Sequence, residues 1–356
     1  MSARLLILEL PPGAEPGAEL LRRLEEAELD YQHIQADWTS FLRVPWPAGG
    51  RRADDEAPDA AAWRLPGVRR AWWQPEPFVL AGRAWQAADS CLEARGHRLG
   101  GGDLQLIAGP CSVESLEQMR EVAAAAAAAG AGWLRGGAFK PRTSPYHFQG
   151  LGAAALDHLR RAADEHGLAV ITELLDPRDL ARVAEHSDVI QVGSRNAQNY
   201  PLLKELGRCG RPVLLKRGFG STLEETVLAA EYVMSHGNPH VALCERGIRS
   251  FESATRFTFD INALPWLKQR VHLPLVADPS HGTGDATLVP AVARAALAAG
   301  ADGIMLEIHP RPAQSFSDAA QALTLDAFAG LARQLLSLDR FLKAECGAAR
   351  EAGSWT

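Results

Sequence analysis

The sequence lacks an apolar run long enough to span a bilayer, an excess of positive charge and a dense set of cysteines. A net charge of −6 over 356 residues argues against a chain that coats nucleic acid or an anionic membrane. The start, MSARLLILELPPGAEPG, passes quickly into prolines and acids, unlike a secretory signal peptide. Five scattered cysteines fit a reducing compartment better than a disulfide framework. We therefore expect a cytoplasmic protein.

Residues 1–95 differ in character from the rest, because they hold six of the nine tryptophans. RLLILEL, YQHIQADWTSFLRV and VRRAWWQ read as strands, and GAELLRRLEEAEL reads as an amphipathic helix, an order that predicts a small α+β domain. The stretch PWPAGGRRADDEAPDAA predicts a long exposed loop. We interpret the tryptophans as core and domain-contact packing, and an effector pocket is the alternative.

From about residue 100 onward, apolar strands alternate strictly with helical segments. Eight strand-helix pairs can be counted, from DLQLIAGP at 103–110 to GIMLEIHP at 303–310 with the helix that follows it. Eight parallel units in this length predict a (β/α)8 TIM barrel over 96–356, whereas an open doubly wound sheet more usually stops at five or six strands.

The carboxyl ends of barrel strands carry the chemistry of such folds, so the residues there are the candidate site. Each predicted strand leads to at least one reactive or ionisable side chain: Cys111; Arg135 and Lys140; Glu173; Arg195; Lys216 and Arg217; Glu245 and Arg246; Asp278 and His281; Glu307 and His309. Taken singly, each could belong to a solvated edge. Eight together favour a functional site.

Cations form one group among these residues: Arg135, Lys140, Arg195, Lys216 and Arg246. Burying several like charges is costly unless anions neutralise them, so this group predicts a ligand with several negative charges. The loop LRGGAFKPRTSPYHFQG at 134–150 reads as an anion cradle, because its glycines allow close backbone approach and its prolines hold its shape.

Metal-binding residue types form a second group, which consists of Cys111, His281, Glu307 and Asp318. A thiolate, an imidazole and two carboxylates suit a divalent ion of the Mn, Fe, Co or Zn class. Their spacing matches no local metal motif, so a buried inert thiol, a structural histidine and a turn or cap aspartate remain alternatives. Closure of a barrel would bring strands 7, 8 and 1 together, which favours the metal interpretation.

Several stretches together resemble one enzyme family. They are IAGPCSVES, RGGAFKPRTSPYHFQGLG, ITELLD, QVGSRNAQN, LLKRG, LCERGIR, DPSHGTG and LEIHPRPAQSFSD, in order over about 105–320. The sequence resembles the type I (beta subgroup) 3-deoxy-D-arabino-heptulosonate 7-phosphate (DAHP) synthases with an N-terminal ferredoxin-like regulatory domain. The resemblance implies condensation of phosphoenolpyruvate with erythrose 4-phosphate, the first step of the shikimate route to aromatic amino acids.

The resemblance also implies roles for particular residues. Cys111, His281, Glu307 and Asp318 would bind one divalent metal. Phosphoenolpyruvate would be held by Arg135, Lys140, Lys216 and Arg246, and the aldose phosphate by Lys140, Pro141, Arg142, Thr143 and Arg195. Glu173 and Asp278 complete the predicted substrate-binding set. Lys140 would act as a proton donor beside the metal ligands Cys111 and His281, and these three form the predicted catalytic set.

For the whole protein, the resemblance implies a homotetramer with an aromatic amino acid effector at the N-terminal domain. Three positions depart from the family pattern: Ala319-Ala320 where Gly-Pro is usual, Gly282 where alanine is usual, and Phe257 where asparagine is usual. They leave open a secondary-metabolism paralogue that uses another aldose phosphate.

Two further hypotheses remain. One is an activity like that of 3-deoxy-D-manno-octulosonate 8-phosphate (KDO8P) synthase, against which KPRTSP argues, because that family carries a Lys-Ala-Asn-Arg type of sequence there. The other is a non-catalytic effector-sensing barrel, against which the retention of all four metal-type residues argues.

Overall fold

The computed structural model describes residues 4–46, 59–142 and 144–351, with side chains described as far as residue 345. Most of the predicted loop PWPAGGRRADDEAPDAA lies outside these residues, and so does Thr143. Where the structure describes the chain, no helix is both long enough and apolar enough to cross a membrane. The described cysteines at 91, 111, 209 and 244 are all free.

The N-terminal part is a four-stranded antiparallel sheet with one helix on it. Its elements are β1 (Arg4–Leu10), α1 (Ala18–Glu26), β2 (Gln32–Ala36), β3 (Thr39–Trp46) and β4 (Arg70–Gln74), in the sheet order β2-β3-β1-β4. This arrangement confirms the predicted α+β fold. Only a 3-10 turn, Ala60–Trp63, lies between β3 and β4, within the described part of that connection.

Both faces of this sheet are buried, and strand β1 shows why. Leu6 and Leu8 face α1, where they pack with Leu20 and Leu24. Alternate residues such as Leu5 and Ile7 belong instead to the large apolar cluster of the second part of the chain. An apolar run without polar alternation therefore predicts a strand buried on both sides.

The tryptophans pack on the two faces of the sheet. On the face toward the second part, Trp85 contacts Trp38, Phe41 and Trp72 at ring-centroid distances of 6.3, 5.5 and 5.9 Å. On the helix face, Trp46 packs edge-on against Trp63 and Trp73. These contacts confirm the packing interpretation.

A short hairpin connects the two parts. Its strands are β5 (Leu92–Ala94) and β6 (His97–Leu99), and Leu92 and Leu99 pack with Trp133 and Met305 from inside the barrel described next. The sequence patterns did not predict this hairpin. The predicted boundary between residues 95 and 96 lies in its turn and stays a prediction.

The second part is a closed barrel of eight parallel strands, which confirms the predicted TIM barrel. The strands are β7 (Gln105–Gly109), β8 (Trp133–Arg135), β9 (Ala169–Glu173), β10 (Val189–Val192), β11 (Val213–Lys216), β12 (Val241–Glu245), β13 (Leu275–Ala277) and β14 (Gly303–Glu307). Closure occurs where β14 pairs with β7, with Glu307 opposite Gly109. Cys111, two residues beyond Gly109, therefore lies near Glu307.

Helices surround the barrel and follow the strands in order. They are α2 (Leu116–Ala128), α3 (Ala153–Asp164), α4 (Leu180–His186), α5 (Tyr200–Arg208), α6 (Leu223–Met234), α7 (Ala263–Arg270), α8 (Pro279–Thr283), α9 (Val289–Ala298) and α10 (Leu325–Glu351). The short α8 is additional to the eight predicted units. It starts directly after β13 because Asp278 caps the backbone N–H of His281 at 3.1 Å and Pro279 occupies its first turn.

His272 lies just before β13, at the amino ends of the barrel strands. Its side chain is 3% exposed, and its Nε2 lies 2.6 Å from the backbone oxygen of Leu80, while Nδ1 lies 2.7 Å from the hydroxyl of Ser90. Burial lowers its pKa from the ordinary value of 6.5. A neutral ring satisfies both contacts, because Nε2 can donate and Nδ1 can accept.

Candidate active site

A cavity of about 320 Å³ opens at the carboxyl ends of the barrel strands. Among the described residues, two acidic side chains line it, Glu173 and Asp318. Seven cationic side chains line it as well: Arg135, Lys140, Arg142, Arg195, Lys216, Arg246 and Arg256. This excess of positive charge predicts an anionic ligand, as the sequence did.

A thiol and two carboxylates form a cluster at one side of the cavity, where Asp318 belongs to the lining and Cys111 and Glu307 are buried next to it. Single ligand atoms of Cys111, Glu307 and Asp318 all lie within 4.8 Å of one another. The Cys111 thiol donates to Asp318 Oδ2 at 3.0 Å. Burial, with a contribution from Glu307, raises the pKa of Cys111 to about 12, so without a bound cation the thiol stays protonated at neutral pH.

His281 lies beside this cluster, since its Nε2 is 3.2 Å from Glu307 Oε1. Its Nδ1 is 2.7 Å from Asp278 Oδ2, and burial lowers the pKa of His281, which favours the neutral ring that a metal ligand requires. The four predicted ligands thus converge at one side of the cavity. Their donor atoms, one sulfur, one imidazole nitrogen and carboxylate oxygens, fit a borderline divalent ion.

Lys140 lines the cavity and also contacts Cys111 of the thiol and carboxylate cluster. Its Nζ lies 2.9 Å from Cys111 Sγ and donates to the Cys111 backbone oxygen at 2.9 Å. Gly137 makes this approach possible, because a Cβ there would lie 2.7 Å from the Cys111 oxygen and 2.9 Å from Lys140 Cδ. Pro141, Arg142 and His147 of the same loop also line the cavity, so the loop 134–150 forms part of its wall as predicted.

Some of the predicted cations have internal acidic partners. Arg135 Nη1 donates to Glu307 Oε1 at 2.7 Å, and Lys216 Nζ donates to Asp278 Oδ2 at 2.5 Å. Asp278 itself is fully buried and does not line the cavity, so its visible role is to orient Lys216 and His281.

Arg217 and Glu245, which the sequence also places at strand ends, do not line the cavity. Arg217 Nη1 donates to Glu245 Oε2 at 2.8 Å and to Asp260 Oδ2 at 2.9 Å. His309 likewise lies outside the cavity, with its Nε2 3.4 Å from Glu114 Oε2. A strand-end position therefore brings a residue to the rim without deciding which way its side chain turns.

Two arginines at the cavity differ from the paired cations. Within the described part of the chain, neither Arg195 nor Arg246 has a carboxylate within 4.0 Å. Arg246 is 3% exposed, and burial lowers its pKa to about 10, which leaves it charged at neutral pH. An uncompensated buried cation is costly, so this pattern indicates a charge kept for a ligand.

Glu173 reaches the cavity from the end of β9. Its Oε1 would lie 1.9 Å from a Cβ at position 193, so this placement requires Gly193. Predictions from sequence did not assign Arg256, whose Nη1 lies 3.2 Å from Asp318 Oδ1 and donates to Gln321 Oε1 at 2.6 Å. Burial opposes ionisation of Asp318, but Arg256 and the thiol of Cys111 hold the pKa of Asp318 well below its ordinary value. Arg256 does not lie directly after a strand. Only its position next to Phe257, a departure from the family pattern, could have indicated it.

Comparison with known proteins agrees with this geometry. The model of the DAHP synthetase I family matches residues 89–344. The chain belongs to this family. Over 263 residues it is 48% identical to phospho-2-dehydro-3-deoxyheptonate aldolase of Thermotoga maritima, covering 74% of this chain and 78% of that protein. The membership makes the chain an enzyme of the DAHP synthase type.

A solved structure and a second relative extend the comparison of this DAHP synthetase I family member. The crystal structure of the Thermotoga maritima DAHP synthase superposes with a TM-score of 0.76 at 40% identity, covering 95% of this chain and 98% of that chain. A 2-dehydro-3-deoxyphosphooctonate aldolase of Rhodopseudomonas palustris is 33% identical over 263 residues, which cover 69% of this chain and 91% of that protein. The match to the Thermotoga structure covers the N-terminal sheet as well as the barrel.

The departures from the family pattern lie at the cavity or behind it. Asp318, followed by Ala319-Ala320, has left-handed backbone with φ of 52°. A Cβ at Gly282 would lie 2.4 Å from Cδ2 of Phe259, so the glycine makes room for that ring. Phe257 stacks on Phe219, which lines the cavity.

Proposed function

We propose that the protein condenses phosphoenolpyruvate with erythrose 4-phosphate, giving DAHP and phosphate. The observation that carries this proposal is the cavity, which seven cations line beside a cluster of thiol, imidazole and carboxylate groups. Two buried donors at the cavity, Arg135 Nε and Arg142 Nη2, have no hydrogen-bond partner among the described residues, as expected where an anion binds. The name of the Thermotoga relative supports the same reaction.

The cations would bind and orient two reactants that repel each other in solution. Arg135, Lys140, Lys216 and Arg246 are assigned to phosphoenolpyruvate, because all four line the cavity and are nearly inaccessible to solvent. Arg195 and the segment from Lys140 to Thr143 are assigned to the aldose phosphate. Charge neutralisation and fixed orientation are the main contributions expected from such a site.

In the chemical step, C3 of the enol phosphate attacks the aldehyde carbon and forms the new carbon-carbon bond. Lys140 is the assigned donor of a proton to the aldehyde oxygen, which gains negative charge as its double bond breaks. Water then adds at C2, and phosphate leaves from that carbon as the ketone forms. A divalent metal would supply a Lewis acid for the aldehyde oxygen, and Cys111, His281, Glu307 and Asp318 are the residues that would hold it.

The alternative is a KDO8P-synthase-like reaction with a five-carbon sugar phosphate, or a paralogue that uses another aldose phosphate. The 33% identity to the phosphooctonate aldolase supports this alternative. The higher identity of 48% to the Thermotoga protein favours erythrose 4-phosphate.

Phosphate release from phosphoenolpyruvate tests the proposal. Metal-loaded protein should release phosphate with erythrose 4-phosphate, and release with arabinose 5-phosphate should be negligible. Treatment with a chelator should abolish the release, and added divalent metal should restore it. Release with arabinose 5-phosphate alone would establish the alternative, and release with neither sugar would contradict both.

The effector and the oligomeric state also stay proposals: an aromatic amino acid acting at the N-terminal domain, and a homotetramer. Inhibition of the same assay by phenylalanine, tyrosine or tryptophan, each added separately, tests the first. Mass photometry tests the second, and a single species of monomer mass would contradict it.

A further inference from the structure

Two phenylalanine rings lie at the centre of a group of arginines beside the cavity. Phe219 and Phe257 stack with their centroids 5.1 Å apart and an interplanar angle of 10°, and we refer to them as the phenylalanine pair. Arg246 lies over both rings, with its guanidinium carbon 3.9 Å from the Phe257 centroid and 5.0 Å from the Phe219 centroid. Arg195 lies 5.4 Å from the Phe219 centroid.

Arg246 depends on these rings because it has no acidic partner in the described part of the chain. Its remaining polar contact is a weak one, from Nη1 to the Gly247 backbone oxygen at 3.3 Å. A ring face attracts a guanidinium through its quadrupole without neutralising the charge. The in-plane N–H groups therefore stay free for bidentate contact with a phosphate or carboxylate.

The backbone around Phe257 is well fixed. Ile248 and Thr258 exchange backbone hydrogen bonds at 3.0 and 2.9 Å, which ties the segment carrying Phe257 to the one carrying Arg246. The Phe257 N–H also donates to the Gly282 oxygen at 3.1 Å. Phe257 is 9% exposed, so the backbone hydrogen bonds and the close packing both restrict the motion of its ring.

Gly282 and Phe257 therefore belong to one local arrangement. Phe259, two residues after Phe257, occupies the space that a Cβ at position 282 would fill. The two departures from the family pattern, Phe257 before α7 and Gly282 in α8, thus pack together beside Gly247, the residue after Arg246.

We propose that Phe257, supported by Phe219, is a positioning residue that holds Arg246 in place for phosphoenolpyruvate. This inference rests on the proposed function. A carboxylate would also fix the guanidinium, but it would neutralise the charge and compete with the anionic ligand. The ring holds the cation and leaves its charge and donors available.

Calorimetric binding of phosphoenolpyruvate to the full chain, without aldose, tests this role. Phe257→Leu should raise the Kd about 3- to 30-fold, the range expected for one desolvated cation–π contact. Phe257→Tyr retains a ring face and should stay close to wild type. Phe251→Leu is the matched control, since Phe251 is fully exposed on the same connection between β12 and α7, and its Kd should not change.

A series of fluorinated phenylalanines at position 257 separates electrostatics from packing. Fluorination keeps the shape of the ring nearly constant and weakens the negative potential of its face, so the Kd should rise steadily with the number of fluorines. This series also decides the matter if Phe257→Leu fails to fold. A Kd that is unchanged across the series would overturn the inference.

The outcomes separate this inference from the proposed function. Wild-type protein that binds phosphoenolpyruvate with a Kd indifferent to ring chemistry at position 257 contradicts the positioning role alone. Wild-type protein that does not bind phosphoenolpyruvate contradicts the proposed function, and the inference with it. Binding that weakens along the series supports the role whichever aldose proves to be the second substrate.

Discussion

The two ends of the barrel bury polar groups in opposite ways. At the amino ends of the strands, the β5–β6 hairpin fills the interior with Leu92 and Leu99, and the nearby His272 has a contact at each ring nitrogen. At the carboxyl ends, the buried Arg246 is retained without an acidic partner among the described residues. The amino end satisfies its buried groups internally, whereas the carboxyl end contains paired cations and also keeps Arg246 for a ligand.

Stability and binding are divided between the two ends of the barrel. Apolar burial and satisfied hydrogen bonds stabilise the fold. Buried charges without partners cost stability and are retained where a ligand compensates them. Changes at the two ends should therefore separate into losses of stability and losses of binding or turnover.

The largest effect should come from removing the thiol of Cys111. Cys111→Ala removes the sulfur donor, and we expect turnover to fall by about 10³-fold or more, because a metal contributes several kcal/mol to such a reaction. The assay is phosphate release, with bound metal measured by elemental analysis. Cys209→Ala is the control, since Cys209 lies on the outer layer at the end of α5. A metal-replete, active Cys111→Ala protein would refute the ligand assignment.

The next effect should come from an unpaired cation. Arg246→Met removes the charge while keeping an unbranched apolar side chain, and we expect phosphoenolpyruvate binding to weaken about 10- to 100-fold. The unfolding free energy of the ligand-free protein should not fall, because an uncompensated buried charge is removed. Calorimetry and urea unfolding measure the two quantities. A large loss of stability would show that Arg246 supports the fold and would break the comparison.

At the hairpin we expect a loss of stability of comparable size, without a loss of binding. Leu99→Ala creates a cavity at a fully buried position, and we expect a loss of about 2–4 kcal/mol in unfolding free energy. The KM for phosphoenolpyruvate should stay unchanged. Leu288→Ala, at a 39% exposed leucine, is the matched control and should cost much less. A KM that changed with Leu99→Ala would mean that the two ends are coupled.

The smallest effect should be the pH dependence contributed by His272. Burial lowers the pKa of folded His272 below its ordinary value of 6.5. Above pH 6.5 the ring is therefore mostly neutral in both the folded and the unfolded chain. As the pH falls, the unfolded chain takes up the proton first, and stability is lost down to the folded pKa. Wild type should therefore lose up to about 1 kcal/mol relative to His272→Gln between about pH 7.5 and pH 5.5. Urea unfolding at the two pH values measures it, and parallel curves would contradict the expectation.

Much of this arrangement could be predicted because it repeats along the chain. Strand-helix alternation gave the closed barrel, and strand-end positions gave Cys111, Lys140 and Arg246. Closure then brings Cys111 next to Glu307, although they are far apart in sequence.

The parts that escaped prediction depend on contacts between distant segments. The pairing of Arg217 with Glu245 and Asp260 requires knowing which way three side chains turn. The stacking of Phe257 on Phe219 joins loops after different strands, and neither loop has a periodic pattern. Leu92 and Leu99 lie on strands of three residues, too short for alternation to be recognised.

The most direct test of the account is the fate of phosphoenolpyruvate labelled with ¹³C at C3, incubated with erythrose 4-phosphate and metal-loaded protein. The proposed reaction gives a seven-carbon product in which the labelled carbon is a methylene bonded to the former aldehyde carbon, as read by ¹³C NMR. Labelled pyruvate, or unchanged phosphoenolpyruvate, would contradict it.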